Sequence, residues 1–214
     1  MRHALVITAA GKGERFGGDK VLERIGEGSV LGHCLDRVWG TGIFSECVVV
    51  GSEAVLAAVS QMGISGLRGV LGGTSRFLSV KNGVLALGDC DVVWVHDAAR
   101  PLVSQGLIER LLDRIQGCDA VIPGVAVRDT LKRVDGGRVR ETVDREGLMA
   151  VETPQVFSYA LLKAAYEKIG DEIFTDEAGL FEFLGHDVAV VEGDVQNIKL
   201  TYPGDLEMIR SLLK

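Results

Sequence analysis

Val6-Ile7-Thr8-Ala9-Ala10-Gly11-Lys12-Gly13-Glu14-Arg15-Phe16-Gly17-Gly18-Asp19-Lys20 passes from an apolar run into a loop of small residues that closes on two cations. The apolar part, Ala4 to Ile7, reads as a buried strand. Glycines let a backbone approach a ligand closely, and successive N–H groups in such a turn form an anion-binding concavity. With Arg15 and Lys20 added, the loop reads as a cradle for a polyphosphate. It is not a Walker A loop, which needs Gly-Lys followed by Ser or Thr. It is not a dinucleotide fingerprint either: Gly11-Lys12-Gly13-Glu14-Arg15-Phe16 ends on phenylalanine, and the second strand, Cys47 to Val50, ends in Gly51-Ser52 without an acidic residue. From these residues alone, a surface turn with two solvated cations remains the alternative.

Outward from the loop, strand-like and helix-like segments alternate. Val30 to Trp39 has helical spacing, Cys47 to Val50 is a strand, Ala54 to Met62 a helix, and Leu67 to Leu71 a third strand. Ser75 to Leu87 is helical, Asp91 to Val95 a fourth strand, Gly106 to Ile115 a helix, and Ala120 to Ile122 a fifth strand. Such alternation predicts an α/β fold with a mostly parallel sheet covered on both faces. The pattern breaks at Arg128. From there to Glu146 the chain is dense in charge, and Asp135-Gly136-Gly137 lies between two alternating segments, which predicts a hairpin. A polar hairpin has little core of its own, so it reads either as an arm that docks on another subunit or as a solvated excursion. Helices occupy Tyr159 to Ile169 and Thr175 to Leu184, with Thr175 the expected cap of the second. Asp176 and Glu177 suit that helix's N-terminal dipole. A strand, Val188 to Val191, and a helix from Pro203 complete the chain.

The 214 residues suit one domain, 1–214, with residues 128–150 as an arm within it. Hydrophobic content of 47% supports a sizeable core, and a net charge of -7 argues against nucleic acid as a general partner. Any phosphate site must be a local basic pocket on an acidic body. Cys34, Cys47, Cys90 and Cys118 are far apart, show no metal-type spacing and read as buried free thiols. No signal peptide is evident and no apolar run is long enough for a bilayer, so no membrane partner is expected and the cytoplasm is the expected compartment.

In an open α/β sheet, ligands bind outside the carboxyl ends of the strands, and the unusual residues fall at those ends. The glycine loop comes after strand one, Gly72-Gly73-Thr74-Ser75-Arg76 after strand three, and His96-Asp97-Ala98-Ala99-Arg100-Pro101 after strand four. Asp97 ends an apolar strand, where a carboxylate can meet a ribose hydroxyl or Mg²⁺, or bond neighbouring backbone N–H groups. His96 alternates away from it and reads as structural. Arg100 reads as either catalytic or part of an internal ion pair.

These blocks, with Ser79-Val80-Lys81-Asn82-Gly83, Asp129-Thr130-Leu131-Lys132, Thr153-Pro154-Gln155, Thr175-Asp176-Glu177-Ala178 and Asn197-Ile198-Lys199-Leu200-Thr201, resemble the 2-C-methyl-D-erythritol 4-phosphate cytidylyltransferases of the non-mevalonate isoprenoid pathway, nearly end to end. The resemblance implies a Rossmann-like three-layer nucleotidyltransferase fold with a protruding β-hairpin arm. It implies transfer of CMP from CTP to methylerythritol phosphate with release of pyrophosphate and with Mg²⁺ as cofactor. Arg15 and Lys20 are then catalytic. Ala9, Ala10, Gly11, Gly13, Gly72, Gly73, Ser79, Asp97 and Ala98 surround the nucleotide, with Asp97 the metal ligand. Arg145, Lys199 and Thr175 hold the alcohol phosphate, and the arm makes a homodimer with shared active sites.

The chain departs from the family pattern at Gly17-Gly18-Asp19-Lys20, where the family loop is longer and carries Pro-Lys-Gln, and at Phe77, where it carries Gln. Two rival readings share the plan: a ribitol-5-phosphate cytidylyltransferase, and a non-catalytic nucleotide-binding regulator. Ala98-Ala99 favours the isoprenoid enzyme over the first. The joint presence of Arg15, Lys20, Asp97, Arg145 and Lys199 argues against the second.

Overall fold

A computed structural model describes residues 1–11, 13, 15–170 and 172–213, so Lys12 and Glu14 of the glycine loop lie outside the described residues. In chain order its elements are β1 His3–Ala9, β2 Arg24–Ile25, β3 Gly28–Ser29, α1 Val30–Val38, β4 Phe44–Gly51, α2 Glu53–Met62, β5 Leu67–Leu71, α3 Arg76–Ala86, β6 Val92–Asp97 and α4 Gln105–Ile115. They continue with β7 Ala120–Ala126, β8 Leu131–Asp135, β9 Arg138–Val143, β10 Met149–Val151, β11 Gln155–Ser158, α5 Tyr159–Lys168, α6 Glu177–Phe183, β12 Val188–Glu192 and α7 Pro203–Leu212.

An eight-stranded sheet runs in the order β10-β7-β11-β6-β1-β4-β5, with β12 also paired to β7. β1 is parallel to both β4 and β6. Its side chains alternate between two cores: Leu5 and Ile7 pack with α1, α2 and α4, while Ala4 and Val6 pack with α3, α5 and α6. That double burial is why the strand reads as an unbroken apolar run. Serine caps start the helices after β3, β4 and β5: Ser29, Ser52 and Ser75 each accept a backbone N–H from the first turn.

Besides the two-residue strands β2 and β3, two strands of the main sheet escape the sequence pattern. β10 and β11 are short, and both pair antiparallel within the sheet. The sheet is mostly parallel as expected and mixed at one side, where β11 returns between β6 and β7. The hairpin is present as β8 and β9, which pair with one another, and Gly136 and Gly137 take φ of 56° and 73° as its tight turn requires. Of the cysteines, Cys34, Cys47 and Cys90 are buried as expected. Cys118 is partly exposed, because its thiol points outward to the carbonyl of Arg114.

Candidate active site

The strand order reverses between β1 and β6: β4 and β5 lie on one side, β6, β11 and β7 on the other. This is the position where a doubly wound sheet opens a crevice. Asp97 is the last residue of β6 and is 6% exposed. Its Oδ1 accepts from the Thr8 hydroxyl at 3.0 Å and from Arg76 Nε at 3.2 Å. Its Oδ2 accepts from Lys199 Nζ at 2.6 Å. Burial alone would raise the Asp97 carboxyl, but Arg76 and Lys199 outweigh it and hold the group well below the usual carboxylate range.

Two further basic groups, Lys20 and Arg100, approach this carboxylate, and Arg15 stands near Lys20. Lys20 Nζ donates to the carbonyl of Leu200 at 2.7 Å, and burial, then the repulsion of Lys199, lower its ammonium from the ordinary value. Arg15 stacks over the Tyr202 ring, 5.7 Å from its centroid. Arg100 binds a carbonyl, its Nη1 donating to that of Asn197 at 2.6 Å, and among the described residues it forms no ion pair. The segment from Asn197 to Tyr202 thus gathers Lys20, Arg15, Arg100 and Lys199 at one place. It is itself pinned by Leu200 N donating to Ala99 O at 2.8 Å and Asn197 Nδ2 donating to Thr153 O at 2.8 Å. The result is the local basic pocket that the acidic net charge demanded.

The glycine loop supplies that pocket differently from expectation. The amides of Phe16, Gly17 and Gly18 all donate to the carbonyl of Gly13. They face inward, so anion binding by these amides gives way to binding by the cations. Gly13 has φ +62°, and a Cβ there would lie 1.8 Å from the carbonyl oxygen of Gly18, which fixes glycine at this position. Ala9 is buried at the end of β1, Ala10 is half-buried, and Gly11 is exposed.

Ala10 touches the second loop: a Cβ on Gly72 would lie 2.4 Å from its methyl. Gly72 N donates to Gly51 O at 3.0 Å and Gly73 N to Ser79 Oγ at 3.0 Å. Ser79 is buried, and its hydroxyl in turn donates to Ser75 O at 2.7 Å. Its hydroxyl therefore supports the loop rather than facing a base. Since both glycine N–H groups are committed, the turn offers carbonyl oxygens to a ligand. Ala98 is buried behind Asp97, its N–H donating to Thr8 O at 3.0 Å.

A cleft of about 170 Å³ lies beside Asp97, lined by Arg76, Arg100, Lys199, Thr175, Asp176 and Gln155 among others. Thr175 stands at this wall and does not cap α6; Asp176 does, accepting from Gly179 N at 3.0 Å. The caps shift by one because Glu177 is pulled inward: fully buried, it accepts from Arg76 Nη1 at 2.9 Å. Arg145, by contrast, is exposed on the chain just past the hairpin, where its Nη1 donates to the carbonyl of Arg128.

Arg76 and Glu177 are site residues that sequence reasoning missed. Both stand inside motifs quoted above, but only their burial shows that they anchor Asp97. His96 is structural as expected. Its Nε2 faces the carbonyl of Arg100, which can only accept, so Nε2 carries the proton and Nδ1 accepts from the Thr153 hydroxyl at 2.9 Å.

Among known proteins, the family model described as IspD: 2-C-methyl-D-erythritol 4-phosphate cytidylyltransferase matches residues 3–214. The 2-C-methyl-D-erythritol 4-phosphate cytidylyltransferase of Halalkalibacterium halodurans is 37% identical over 222 residues, covering 100% of this chain and 97% of the relative. The bifunctional enzyme IspD/IspF of Maricaulis maris is 39% identical; the match covers 97% of this chain, which spans 56% of that longer relative. The crystal structure of 4-diphosphocytidyl-2C-methyl-D-erythritol synthase from Anaerococcus prevotii superimposes with a TM-score of 0.86 at 31% identity, covering 99% of this chain and 98% of that one.

Proposed function

The chain belongs to the 2-C-methyl-D-erythritol 4-phosphate cytidylyltransferase family and is a nucleotidyltransferase enzyme, and from that premise we infer how its strand-end cluster carries the transfer of CMP from CTP to 2-C-methyl-D-erythritol 4-phosphate. Membership also separates it from the ribitol-phosphate and regulator readings. The observation that carries the mechanism is the convergence of Lys20, Arg76, Arg100 and Lys199 on the single carboxylate Asp97 at the mouth of the crevice.

An oxygen of the methylerythritol phosphate attacks the α-phosphorus of CTP. The new P–O bond forms as the bond to pyrophosphate breaks, and the pyrophosphate leaves. Such a transfer asks little covalent chemistry of the protein and depends on positioning and on charge neutralisation. Arg15 and Lys20 neutralise charge at the α-phosphate. Their present contacts, a tyrosine ring and one carbonyl, are weak enough to exchange for phosphate oxygens. Lys199, 39% exposed at its side chain, is the exchangeable partner of Asp97 and grips the alcohol phosphate, while Arg76 keeps the carboxylate paired. Thr175 faces the same cleft. Gly72, Gly73, Ala10 and Gly11 surround the cytosine, and Asp97 meets the ribose.

Mg²⁺ fits this donor set. Among the described residues no three His, Cys, Asp or Glu side chains form a metal site, and Mg²⁺ bound with nucleotides takes one or two carboxylates plus phosphate oxygens and water. Asp97 would be its protein ligand, and the ion would supply charge neutralisation on the phosphates. The hairpin arm makes a homodimer, with Arg145 reaching the alcohol phosphate in the second copy's site. Among the described residues no helix is long and apolar enough to cross a membrane; we place the enzyme in the cytoplasm with its nucleotide.

The test is turnover with CTP and methylerythritol phosphate against CTP and ribitol phosphate, together with Lys20→Ala. Loss of one preorganised charge lowers kcat by about 10²–10³, so the variant should fall that far while its unfolding curve stays near wild type. Equal use of the two alcohol phosphates, or a Lys20→Ala rate within a few-fold of wild type, contradicts the mechanism.

A further inference from the structure

We propose that Gln155 is a specificity-determining residue that accepts a hydrogen bond from one free hydroxyl of the alcohol phosphate; this rests on the reaction assigned above. Gln155 opens β11, is 1% exposed and lines the cleft beside Asp97. Its amide is oriented without ambiguity. Nε2 donates to Asp176 Oδ2 at 2.8 Å, and a carboxylate can only accept, so the amide cannot be flipped. Asp176 is held in turn by capping α6 through its other oxygen. The consequence is a buried Oε1 with no partner among the described residues.

A buried acceptor left without a donor keeps the full penalty of its lost hydration, and a fixed amide cannot rotate away to avoid that cost. Arg100 Nε and Asn197 Oδ1 are also unpaired. Asn197 does not line the cleft, however, and Arg100 offers donors. Gln155 is therefore the acceptor at this wall that waits for an incoming donor.

The donor's identity comes from place and chemistry. Ionised phosphates have no proton to give. The two-glycine turn assigned to the base touches Ala10, just past β1, and β1 lies two strands from β11 in the sheet order; at about 4.8 Å per strand the separation is about 10 Å, beyond hydrogen-bond reach. The cleft itself, about 170 Å³, suits a small polyol phosphate rather than a nucleoside triphosphate. Lys199, the exchangeable cation of this cleft, suits the phosphate of such a molecule, which leaves the polyol hydroxyls facing Gln155.

The experiment pairs methylerythritol phosphate analogues, each lacking one free hydroxyl, with wild type and with Gln155→Met. In wild type one analogue should raise KM about tenfold, as one neutral hydrogen bond predicts. In Gln155→Met the full substrate should already show that tenfold rise, the same analogue should be no worse, and KM for CTP should not move. If Gln155→Met folds poorly, Asp176→Ser keeps a helix cap while releasing the amide, and should show the same selective loss. The proposal is overturned if no analogue distinguishes wild type from both variants, or if 2′-deoxy-CTP is the substrate they cease to discriminate. Failure of wild type to use CTP and methylerythritol phosphate at all would instead overturn the assigned reaction.

Discussion

Arg76 donates through Nη1 to Oε2 of Glu177 at 2.9 Å, and that carboxylate has no solvent exposure. Nε of the same guanidinium reaches Asp97 Oδ1 at 3.2 Å, so one cation ties a wholly buried acid to the acid at the crevice mouth. Tyr166 adds a hydroxyl to Glu177 Oε1 at 3.3 Å. Lys199 can leave Asp97 because Arg76 cannot.

Breaking this pair from one side should therefore be costly. Arg76→Met strands Glu177, and removing one partner of a buried ion pair costs about 3–5 kcal/mol. Burial already pushes the Glu177 carboxyl upward, so proton uptake limits the damage towards acid pH. Glu177→Gln keeps a hydrogen-bond acceptor and should lose less. Urea unfolding of the two variants at neutral pH checks the order; Arg76→Met behaving like a surface substitution would refute the anchoring role.

His96 predicts a pH dependence of stability. Burial holds its imidazole down at about 4, against an ordinary value of 6.5. Between those values the unfolded chain carries the proton and the folded chain does not. Stability therefore falls as pH drops from about 6.5 to about 4, by about 3 kcal/mol for this group. His3 is lowered too, by burial first, and acts in the same direction. His96→Gln should be less stable at pH 7 but lose much less between pH 6.5 and 4. An unchanged slope in urea midpoints would assign the proton uptake elsewhere.

Base choice rests on the glycine turn. With the N–H groups of Gly72 and Gly73 spent on Gly51 and Ser79, the turn presents carbonyl oxygens. Cytosine offers an amino donor at the edge where uracil offers an acceptor. A site built around a specific hydrogen bond rejects a base lacking it, because its own groups are left unpaired. CTP should exceed UTP in kcat/KM by at least about tenfold, the worth of one such bond. Equal values would mean that the base edge lies elsewhere.

Much of this is legible in the residues. β5 matches its expected bounds, and Asp97 stands at the end of its strand, because the unbroken apolar run Val92-Val93-Trp94-Val95 ending in polar residues has few other interpretations. β10 and β11 are not legible: Met149–Val151 is exposed and only three residues long, and Gln155–Ser158 comes directly after a proline. Glu177 reads as a dipole-favouring surface acid. Nothing local announces that α6 turns it inward, since its partner Arg76 is 101 positions away. Gln155 stands out only as a motif letter, and its unpaired oxygen exists only once Asp176 fixes the amide.

Arg145 distinguishes a shared active site from a self-contained one. It comes after a hairpin whose strands pair with each other, carry the exposed ion pairs Arg133–Glu141 and Arg140–Asp135, and leave Val134 and Val139 56% and 62% exposed. Exposed ion pairs of this kind contribute about 0–1 kcal/mol each, so the arm gains little by standing alone and has apolar surface to cover. If a second copy covers it, Arg145 reaches that copy's cleft. Arg145→Ala should then raise KM for the alcohol phosphate more than KM for CTP. The sharper measurement joins an Arg145→Ala chain to a Lys20→Ala chain. In the purified mixed dimer one site carries both lesions and the other carries neither, so turnover should return to about half of wild type per dimer, since active sites that do not communicate contribute independently. A mixed dimer as inactive as its parents would place Arg145 in its own chain's site, and a protein that stays monomeric at assay concentration would remove the arm's role altogether.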